Sequence, residues 1–196
     1  MNFRKFYKIQ EEIAKKVRFI KVKNFNKIVC VDVAYKNNIA FCVAVLFDLK
    51  QDLVLKIYID KKRVKFPYIP GLFFLRESEV ILKTLRKIRE KYDLIVVDAH
   101  GLTHPRKAGL ATFIGVTLNK PTIGIAKKYL YGEIRNNIIF VDNNKVGVVL
   151  GKYYSSIGSN IDFESMIEFF KKINFKYPKA MKIADRLSKI IARGRL

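Results

Sequence analysis

Hydrophobic and polar residues follow two different periods along this chain of 196 residues. Helical spacing of the apolar positions predicts helices over 5–20, 72–91, 108–118, 162–173 and 178–193. Apolar runs of strand length predict strands over 28–35, 39–47, 53–59, 94–97, 122–126, 138–142 and 146–150. Short polar breaks at 36–38 and 143–144 indicate hairpin turns, and loops are expected at 61–70 and around Gly158.

The order of the predicted elements sets the fold class. Three strands of an antiparallel meander come first, and helices and single strands then alternate before a hairpin and two final helices. Such alternation predicts an α/β fold in which helices flank a mixed sheet. The length fits one domain over residues 1–196, and a domain of this size buries a sizeable core.

The charge of the chain favours a polyanionic partner. Lysine and arginine number 39 against 17 acidic residues, which gives a formal net charge of +22. Such an excess favours nucleic acid through phosphate contacts and counterion release, although a solvated lysine surface without a specific partner would have the same composition. No apolar stretch reaches the roughly 18 residues of a membrane span, so we expect no membrane partner.

Two features predict a cytoplasmic protein. The basic N-terminus lacks the apolar core of a signal peptide. The two cysteines, Cys30 and Cys42, are too few for a disulfide framework or a zinc site, and both lie in apolar strand patterns. We therefore expect both to be reduced thiols in the core.

Three carboxylates occupy positions that suggest metal binding. Asp32 interrupts an apolar strand, Asp98 ends another just before a glycine turn, and Glu77 opens a helical stretch. A charge inside an apolar strand is costly unless it is paired or binds a metal, and magnesium is commonly held by carboxylates together with water and phosphate. These acids on a basic chain predict a metal-dependent enzyme that acts on nucleic acid. The alternative gives each acid a separate structural role, as a turn cap, a first-turn acid or the partner of a lysine.

The segment 98–109 holds both histidines of the chain. His104 lies in a polar loop beside a proline and is a candidate acid, base or ligand, whereas His100 is expected to be a structural loop residue. Arg106 and Lys107 follow as candidate phosphate contacts. The glycines of this region would let the backbone approach a flat ligand closely.

Two further positions have both a functional and an ordinary interpretation. Tyr68 stands between Pro67 and Pro70 in a stiff loop, so its ring could enter a base stack as a wedge, and the alternative is a surface tyrosine in a turn. Lys127 follows a strand and could neutralise a phosphate, and the alternative is an ordinary solvated lysine.

Three ordered segments resemble those of the endonuclease V family, the deoxyinosine 3′ endonucleases. They are Pro67-Tyr68-Ile69-Pro70-Gly71 leading through Phe74-Leu75-Arg76-Glu77, the segment from Asp98 to Gly109 with its His-Pro-Arg, and Pro121-Thr122-Ile123-Gly124-Ile125-Ala126-Lys127-Lys128. The strand around Asp32 is a looser fourth match. The resemblance spans residues 5–190.

The resemblance implies an RNase H-like fold and a reaction. This reaction is hydrolysis, with Mg²⁺ or Mn²⁺, of the second phosphodiester bond 3′ to a deaminated purine, chiefly inosine in DNA. The implied metal carboxylates are Asp32, Glu77 and Asp98, and the further implied catalytic residues near the scissile phosphate are His104 and Lys127. The implied substrate-binding residues, with the tyrosine as the wedge, are Tyr68, Pro70, Gly71, Gly101, Arg106, Gly109 and Leu110. Extrusion of the base fits the chemistry, because hypoxanthine pairs weakly and leaves the stack at lower cost.

The chain departs from the family pattern at three positions. Ala99 stands where many members have glycine, which bears on the width of the base pocket. Phe113 and Ser159 stand where many members have histidine, which removes two polar contacts near the metal or the substrate. The carboxylate set is intact, so catalysis is still expected.

Two other functions fit the same sequence. An RNase H-like nuclease with another target, such as inosine in RNA or branched DNA, would differ only in its substrate pocket. A basic nucleic-acid-binding protein without catalysis would leave the strand carboxylates of Asp32 and Asp98 unexplained. We expect the protein to be a monomer.

Overall fold

The structure is a computed structural model, and it describes residues 3–195. Its helices are α1 (Arg4–Lys15), α2 (Phe74–Leu85), α3 (Leu110–Leu118), α4 (Phe163–Lys172) and α5 (Lys179–Ala192). Its strands are β1 (Lys27–Lys36), β2 (Ile39–Asp48), β3 (Leu53–Arg63), β4 (Leu94–Val97), β5 (Thr122–Ala126), β6 (Glu133–Arg135), β7 (Ile138–Val141), β8 (Asn144–Leu150) and β9 (Tyr153–Ser159).

One sheet of nine strands runs in the order β3-β2-β1-β4-β5-β9-β8-β7-β6. The three central strands β1, β4 and β5 are parallel, and the other neighbouring pairs are antiparallel. The predicted α/β class, an RNase H-like mixed sheet flanked by helices, is therefore confirmed. Parallel strands at the centre matter for function, because groups that follow their carboxyl ends lie at one edge of the sheet.

Helices cover both faces of the sheet, so its central strands are buried on both sides. On one face α4 and α5 pack against the sheet, with Met181 in the core, and on the other α2 and α3 contribute Ile81 and Ile114. Cys30 and Cys42 are buried free thiols, as predicted, and the structure places them on opposite faces of the sheet. Over residues 3–195, none of the helices combines the length and the apolar character needed to cross a membrane.

Two predicted helices end earlier than expected. α1 ends at Lys15 because the backbone after it bonds to the chain beyond β9, where the Asn160 amide donates to Arg18 O at 2.7 Å. α2 ends at Leu85, and residues 86–91 turn toward the sheet, where Glu90 accepts hydrogen bonds from Tyr58 and a lysine of β3. In both places tertiary hydrogen bonds override a helical pattern.

The prediction of a loop around Gly158 is wrong, because this residue belongs to β9. A Cβ at Gly158 would come 2.7 Å from Thr122 O and 2.8 Å from Ala111 O. Glycine here permits a close approach of backbones and does not mark a turn. The first three residues of the predicted loop 61–70 also belong to a strand, because they extend β3 along the edge of the sheet.

Candidate active site

Two of the predicted carboxylates meet because their strands are parallel neighbours. The register pairs Val31 of β1 with Val97 of β4, so the next residues along, Asp32 and Asp98, lie side by side. The amide of Asp98 donates to the Val31 carbonyl at 3.2 Å, which fixes the chain where β4 ends. Strand register alone therefore brings together two acids that are far apart in sequence.

A third aspartate, Asp185, reaches the same place from α5. One carboxylate oxygen from each of Asp32, Asp98 and Asp185 lies within 4.8 Å of the others. α5 packs across β1 and β2, and its Ser188 hydroxyl donates a hydrogen bond to Asp32 Oδ2. These three aspartates are the carboxylate cluster.

Burial and lysines shape the charges of the carboxylate cluster. Asp32 is only 6% exposed, and burial, together with the adjoining Asp98, raises its pKa to about 7. Lys127 Nζ lies 2.8 Å from an oxygen of Asp98 and 2.8 Å from one of Asp185, and Lys189 Nζ lies 2.6 Å from the other Asp185 oxygen. Burial disfavours the charge of Asp185, but hydrogen bonds from the two lysines outweigh it and lower the pKa of this residue.

The carboxylate cluster fits a hard divalent cation. Carboxylate oxygens are preferred ligands of Mg²⁺ and Mn²⁺, whose remaining positions are filled by water and substrate phosphate. Three carboxylates within 4.8 Å repel one another, and a cation between them would remove that cost. The cluster could therefore bind a metal ion, with Asp32 and Asp98 from the predicted set.

Glu77, the other predicted metal carboxylate, is not one of the three members of the cluster. It lies in the first turn of α2, is 4% exposed, and accepts a hydrogen bond of 2.5 Å from the Tyr35 hydroxyl. Burial raises its pKa to about 8; the Tyr35 hydrogen bond opposes this rise, and the charges of Asp32 and Asp98 add to it. Glu77 thus lies close enough to respond to the charge of the cluster.

Asp185 is the member of the cluster that the sequence did not reveal. It lies on an amphipathic helix, where an acid is ordinary, and Lys189 one turn later is a common helical ion-pair partner. The one sequence signal for a functional role was that Asp185 is the only acidic residue of α5. Its place beside Asp32 depends on how α5 crosses the sheet, which no local pattern encodes.

Two surface depressions meet at Asp98 and Lys127, which line both of them. The larger one, about 750 Å³, contains the carboxylate cluster and is named the cleft. The other, about 410 Å³, has mostly apolar walls and is named the apolar pocket. Besides Asp98 and Lys127, six predicted site residues line the apolar pocket: Tyr68, Pro70, Gly71, His104, Gly109 and Leu110.

Three side chains donate hydrogen bonds to the Gly71 carbonyl and so fix the loop before α2. It accepts hydrogen bonds from Gln10 Nε2 at 2.9 Å, His104 Nε2 at 3.1 Å and Arg106 Nη2 at 3.0 Å. Arg106 Nε also donates to Gln10 Oε1 at 2.6 Å, and its guanidinium lies 4.2 Å from the ring centre of Tyr7. Arg106 therefore has internal partners where the sequence predicted a phosphate contact, and its role in substrate binding stays a prediction.

His104 is buried, with 3% exposure, although the sequence pattern predicted a polar loop. Its Nδ1 accepts from the Arg106 amide at 3.2 Å, which leaves Nε2 as the nitrogen that donates to Gly71. Burial, with the nearby Arg106 charge, lowers its pKa to about 4, so the imidazole is neutral at pH 7. In this structure His104 orients the loop 67–71, and its role at the phosphate stays a prediction.

Two of the three predicted pocket glycines, Gly101 and Gly109, have different surroundings. A Cβ at Gly101 would come 2.0 Å from Ile157 O, so this residue lets the segment after β4 pack against β9 behind the apolar pocket. A Cβ at Gly109 would come 2.3 Å from His100 O, and this glycine lines the apolar pocket. Both positions require close backbone contact, but only Gly109 could meet a ligand there.

The positions that depart from the family pattern have packing roles. Ala99 is buried and lines the apolar pocket, which its methyl group narrows. The Phe113 ring packs on Phe74 with centroids 5.0 Å apart, and Ser159 Oγ accepts from the Arg18 amide at 3.2 Å.

Tyr68 stands at the mouth of the apolar pocket. Its side chain is 64% exposed, and its ring meets Phe73 edge-on with centroids 6.0 Å apart. An exposed ring on a loop that is held by the Gly71 contacts is available for stacking.

Comparison with known proteins shows which family this chain belongs to. The endonuclease V family model matches residues 8–186. Endonuclease V of Sulfolobus acidocaldarius is 45% identical over 188 residues, which cover 93% of this chain and 92% of that protein. The crystal structure of endonuclease V from Streptomyces avermitilis has a TM-score of 0.83 at 25% identity and covers 97% of this chain and 93% of its own.

A further crystal structure has the same fold. It is Ciona intestinalis endonuclease V in complex with a 24mer DNA containing an inosine followed by a ribo-adenosine, with a TM-score of 0.86, 19% identity and 98% coverage of both chains. At this identity the comparison shows the fold alone. The family model and the Sulfolobus relative, in contrast, match most of the sequence and confirm the resemblance first carried by three short segments. The chain belongs to the endonuclease V family and is an endonuclease, an enzyme that hydrolyses phosphodiester bonds.

Proposed function

We propose that this endonuclease recognises deaminated purines in DNA, chiefly deoxyinosine, by extruding the base, and that it hydrolyses the second phosphodiester bond 3′ to the lesion. The observation that carries this proposal is the wall that the apolar pocket and the cleft share at Asp98 and Lys127. Adjoining sites for a base and for a phosphate suit an enzyme that recognises one nucleotide and cuts the backbone beside it.

The apolar pocket suits an extruded purine. A flipped base needs apolar walls for its two faces and a few polar groups for its edges. Leu110 and Ala99 supply apolar wall, and Gly109 lets the backbone approach the ligand. Tyr68 at the mouth would occupy the space that the base leaves in the stack, and so oppose its return.

We assign Asp32, Asp98 and Asp185 to a divalent metal ion, Mg²⁺ with Mn²⁺ as a substitute, and keep Glu77 as a further carboxylate of this site. When bound, the ion would supply an activated water and stabilise charge on the leaving oxygen. Ser188 orients Asp32 through its hydrogen bond, and Tyr35 does the same for Glu77. Carboxylates held in this way are preorganised for their ligand.

Lys127 supplies positive charge where the two depressions meet. Burial disfavours its charge, but hydrogen bonds to Asp185 and Asp98 prevail and raise the pKa of the lysine. A lysine that stays charged at this border would neutralise the scissile phosphate.

His104 and Arg106 are assigned to the positioning of the loop that carries Tyr68, and Gly101 to the backbone packing behind the apolar pocket.

Inosine in DNA is the favoured substrate, and inosine in RNA is the second candidate. The Ciona protein binds a DNA in which an inosine is followed by a ribo-adenosine, and a net charge of +22 suits a phosphate backbone of either kind. Because that ligand includes a ribonucleotide beside the inosine, a ribose backbone is compatible with the shared fold. We further propose a monomeric enzyme of the cytoplasm.

The test uses end-labelled DNA and RNA duplexes that are identical except for a single inosine, each incubated with Mg²⁺, Mn²⁺ or EDTA. We expect one nick, at the second phosphodiester 3′ to inosine in DNA, and only with a metal. Undiminished nicking in EDTA would refute the metal assignment, and equal nicking of the inosine-free duplex would refute lesion recognition. Faster cleavage of inosine RNA would favour the second candidate.

A further inference from the structure

A second group of exposed side chains borders the apolar pocket. Tyr129, Leu130 and Tyr131 follow β5 and are all exposed. Tyr129 and Leu130 line the apolar pocket, which they reach from a different part of the chain than Tyr68 does. These three residues are named the 129–131 rim.

The 129–131 rim also lines a neighbouring depression of about 400 Å³, together with Phe140. The apolar pocket and this outer depression therefore share Tyr129 and Leu130 as a common wall. Since the cleft adjoins the apolar pocket at Asp98 and Lys127, the three depressions are successive neighbours on the surface.

Tyr129, the first residue of the rim, is held in place although it is exposed. The Tyr129 ring meets the Tyr154 ring edge-on at 5.8 Å, and the Tyr129 hydroxyl donates to the Gly132 carbonyl. Gly132 has a φ of +117°, and a Cβ there would come within 2.8 Å of Ile139 Cγ2 and Phe140 O. The turn that carries the rim therefore needs glycine, and a ring held in this way loses little entropy when a ligand stacks on it.

The surroundings of the rim favour nucleic acid as its occupant. Contiguous exposed apolar side chains mark a binding surface more often than an inert one. Here they directly follow Lys127 and Lys128 on a chain of net charge +22. Aromatic rings beside lysines suit unpaired nucleotides, because the base faces stack on the rings and the phosphates meet the lysines.

We propose that the 129–131 rim is a stacking surface for the unpaired DNA base next to the extruded one. This inference rests on the proposed function and deepens it. Tyr68 fills the gap in the stack, and the rim holds a neighbouring base that has lost its stacking partner, so the duplex is held open from two sides. Tyr129, Leu130 and Tyr131 are all absent from the lining of the cleft that contains the carboxylate cluster, so the rim would act in substrate binding and not in the hydrolysis step.

Two pairs of variants separate stacking from general effects. Tyr131→Ala is the cleanest removal, because within residues 3–195 no hydrogen bond or ring contact involves the Tyr131 side chain, and Tyr131→Phe keeps the ring. Leu130→Ala is matched by Leu55→Ala on β3, at the opposite edge of the sheet, since the two leucines are 41% and 40% exposed.

Affinity is measured without divalent metal for an inosine duplex, for an unmodified duplex with a short unpaired bubble, and for a fully paired duplex. A 2-aminopurine beside the inosine, or in the bubble, reports stacking by its fluorescence. We expect Tyr131→Ala to weaken binding of the first two DNAs by about 5- to 150-fold, the loss expected for one stacked base, and to raise the fluorescence. Leu130→Ala should act in the same direction, while Tyr131→Phe and Leu55→Ala should bind like the wild type.

Wild-type affinity and fluorescence for Tyr131→Ala would overturn the inference and leave a protein partner as the occupant of the rim. An equal loss of affinity for the fully paired duplex would also overturn it, because stacking on unpaired bases cannot act there. The melting temperature of each variant shows whether it is folded, and Tyr131→Phe supports the inference independently if it restores binding. Failure of the proposed function is distinct: the wild type would then treat inosine and paired duplexes alike, while the bubble DNA would still report on the rim.

Discussion

The cleft and the apolar pocket share a wall, yet burial acts on opposite charges in the two regions. In the cleft, burial disfavours negative charge and raises the pKa of Asp32 to about 7, and beside it the pKa of Glu77 rises to about 8. In the apolar pocket, burial disfavours positive charge and lowers the pKa of His104 to about 4. At neutral pH the cleft therefore favours a bound cation, whereas the pocket holds a neutral imidazole.

This contrast shows how one groove can separate chemistry from recognition. Metal binding acts on the cleft through charge, while base binding acts on the apolar pocket through stacking and shape. A perturbation of one region should leave the other largely intact, even though Asp98 and Lys127 belong to both.

Removal of one cluster charge should have the largest effect. Asp98→Asn should lower the single-turnover nicking rate of inosine DNA by about 1000-fold or more, because metal stabilisation of the transition state is worth several kcal/mol. Asp185→Asn should act in the same direction. Asp52→Asn is the matched control, since it makes the same charge change at an exposed ion pair with Lys179, and it should nick at the wild-type rate. Near-normal nicking by Asp98→Asn would contradict the metal assignment.

The free energy of unfolding of the protein should fall as the pH falls, because His104 is buried as a neutral imidazole in the apolar pocket. The pKa of His104 is about 4 in the folded protein and about 6.5 in an unfolded chain, so the unfolded state binds more protons between these values. The stabilisation from the neutral imidazole is present above about pH 6.5 and is lost toward about pH 4, by about 3 kcal/mol. His104→Gln should flatten this part of the plot of unfolding free energy against pH, measured by urea unfolding. A variant profile as steep as that of the wild type would assign the acid sensitivity to other groups.

Loss of the Tyr68 ring should have a smaller effect, confined to recognition. Tyr68→Ala should slow nicking of inosine DNA by roughly 5- to 150-fold, because stacking on one base is worth about 1–3 kcal/mol. Tyr68→Phe should keep most of the activity, and neither change should alter the melting temperature much, since the side chain is exposed. A sharp fall in the melting temperature, with nicking per folded molecule intact, would instead show that Tyr68 serves packing.

The smallest measured change should be a difference in how far Mg²⁺ raises the melting temperature at two pH values, because the metal-free cleft has a pH slope opposite to that of His104. The raised pKa values of Asp32 and Glu77 mean that the folded state binds more protons than the unfolded chain. Their stabilisation is present below about pH 4 and is lost as the pH rises through about 7 to 8. Mg²⁺ should therefore raise the melting temperature by a few degrees more at about pH 8 than at about pH 5. Equal shifts at both values would argue against binding at these carboxylates.

The parts of the cleft that lie in a strand or directly after one were predictable from the sequence. A lone acid in an apolar run is a local signal, and the parallel register of β1 and β4 then places Asp32 beside Asp98. Asp185 was not predictable in this way, because a helix acid beside basic neighbours looks solvated until α5 is packed on the sheet. Its role depends on a tertiary contact and not on a pattern.

The apolar pocket likewise has features that the sequence predicted and features that it did not. The stiff loop with Tyr68 was visible in its two prolines, and the structure places it at the mouth of the pocket. The inward turn of His104 and Arg106 was not visible, since a polar loop pattern does not show that both side chains share the Gly71 carbonyl. Gly158 is a similar case, because the meaning of a glycine depends on what packs against it.

The separation of chemistry from recognition is tested most directly by the inosine selectivity of Asp98→Asn. The measured quantity is the ratio of the Kd for a paired duplex to the Kd for the inosine duplex, without metal, for the variant and for the wild type. We predict ratios that agree within about threefold, a difference below about 0.7 kcal/mol, while the variant shows no nicking when Mg²⁺ is added. A ratio that falls to one in the variant would contradict the account, because recognition would then depend on the same charge as cleavage.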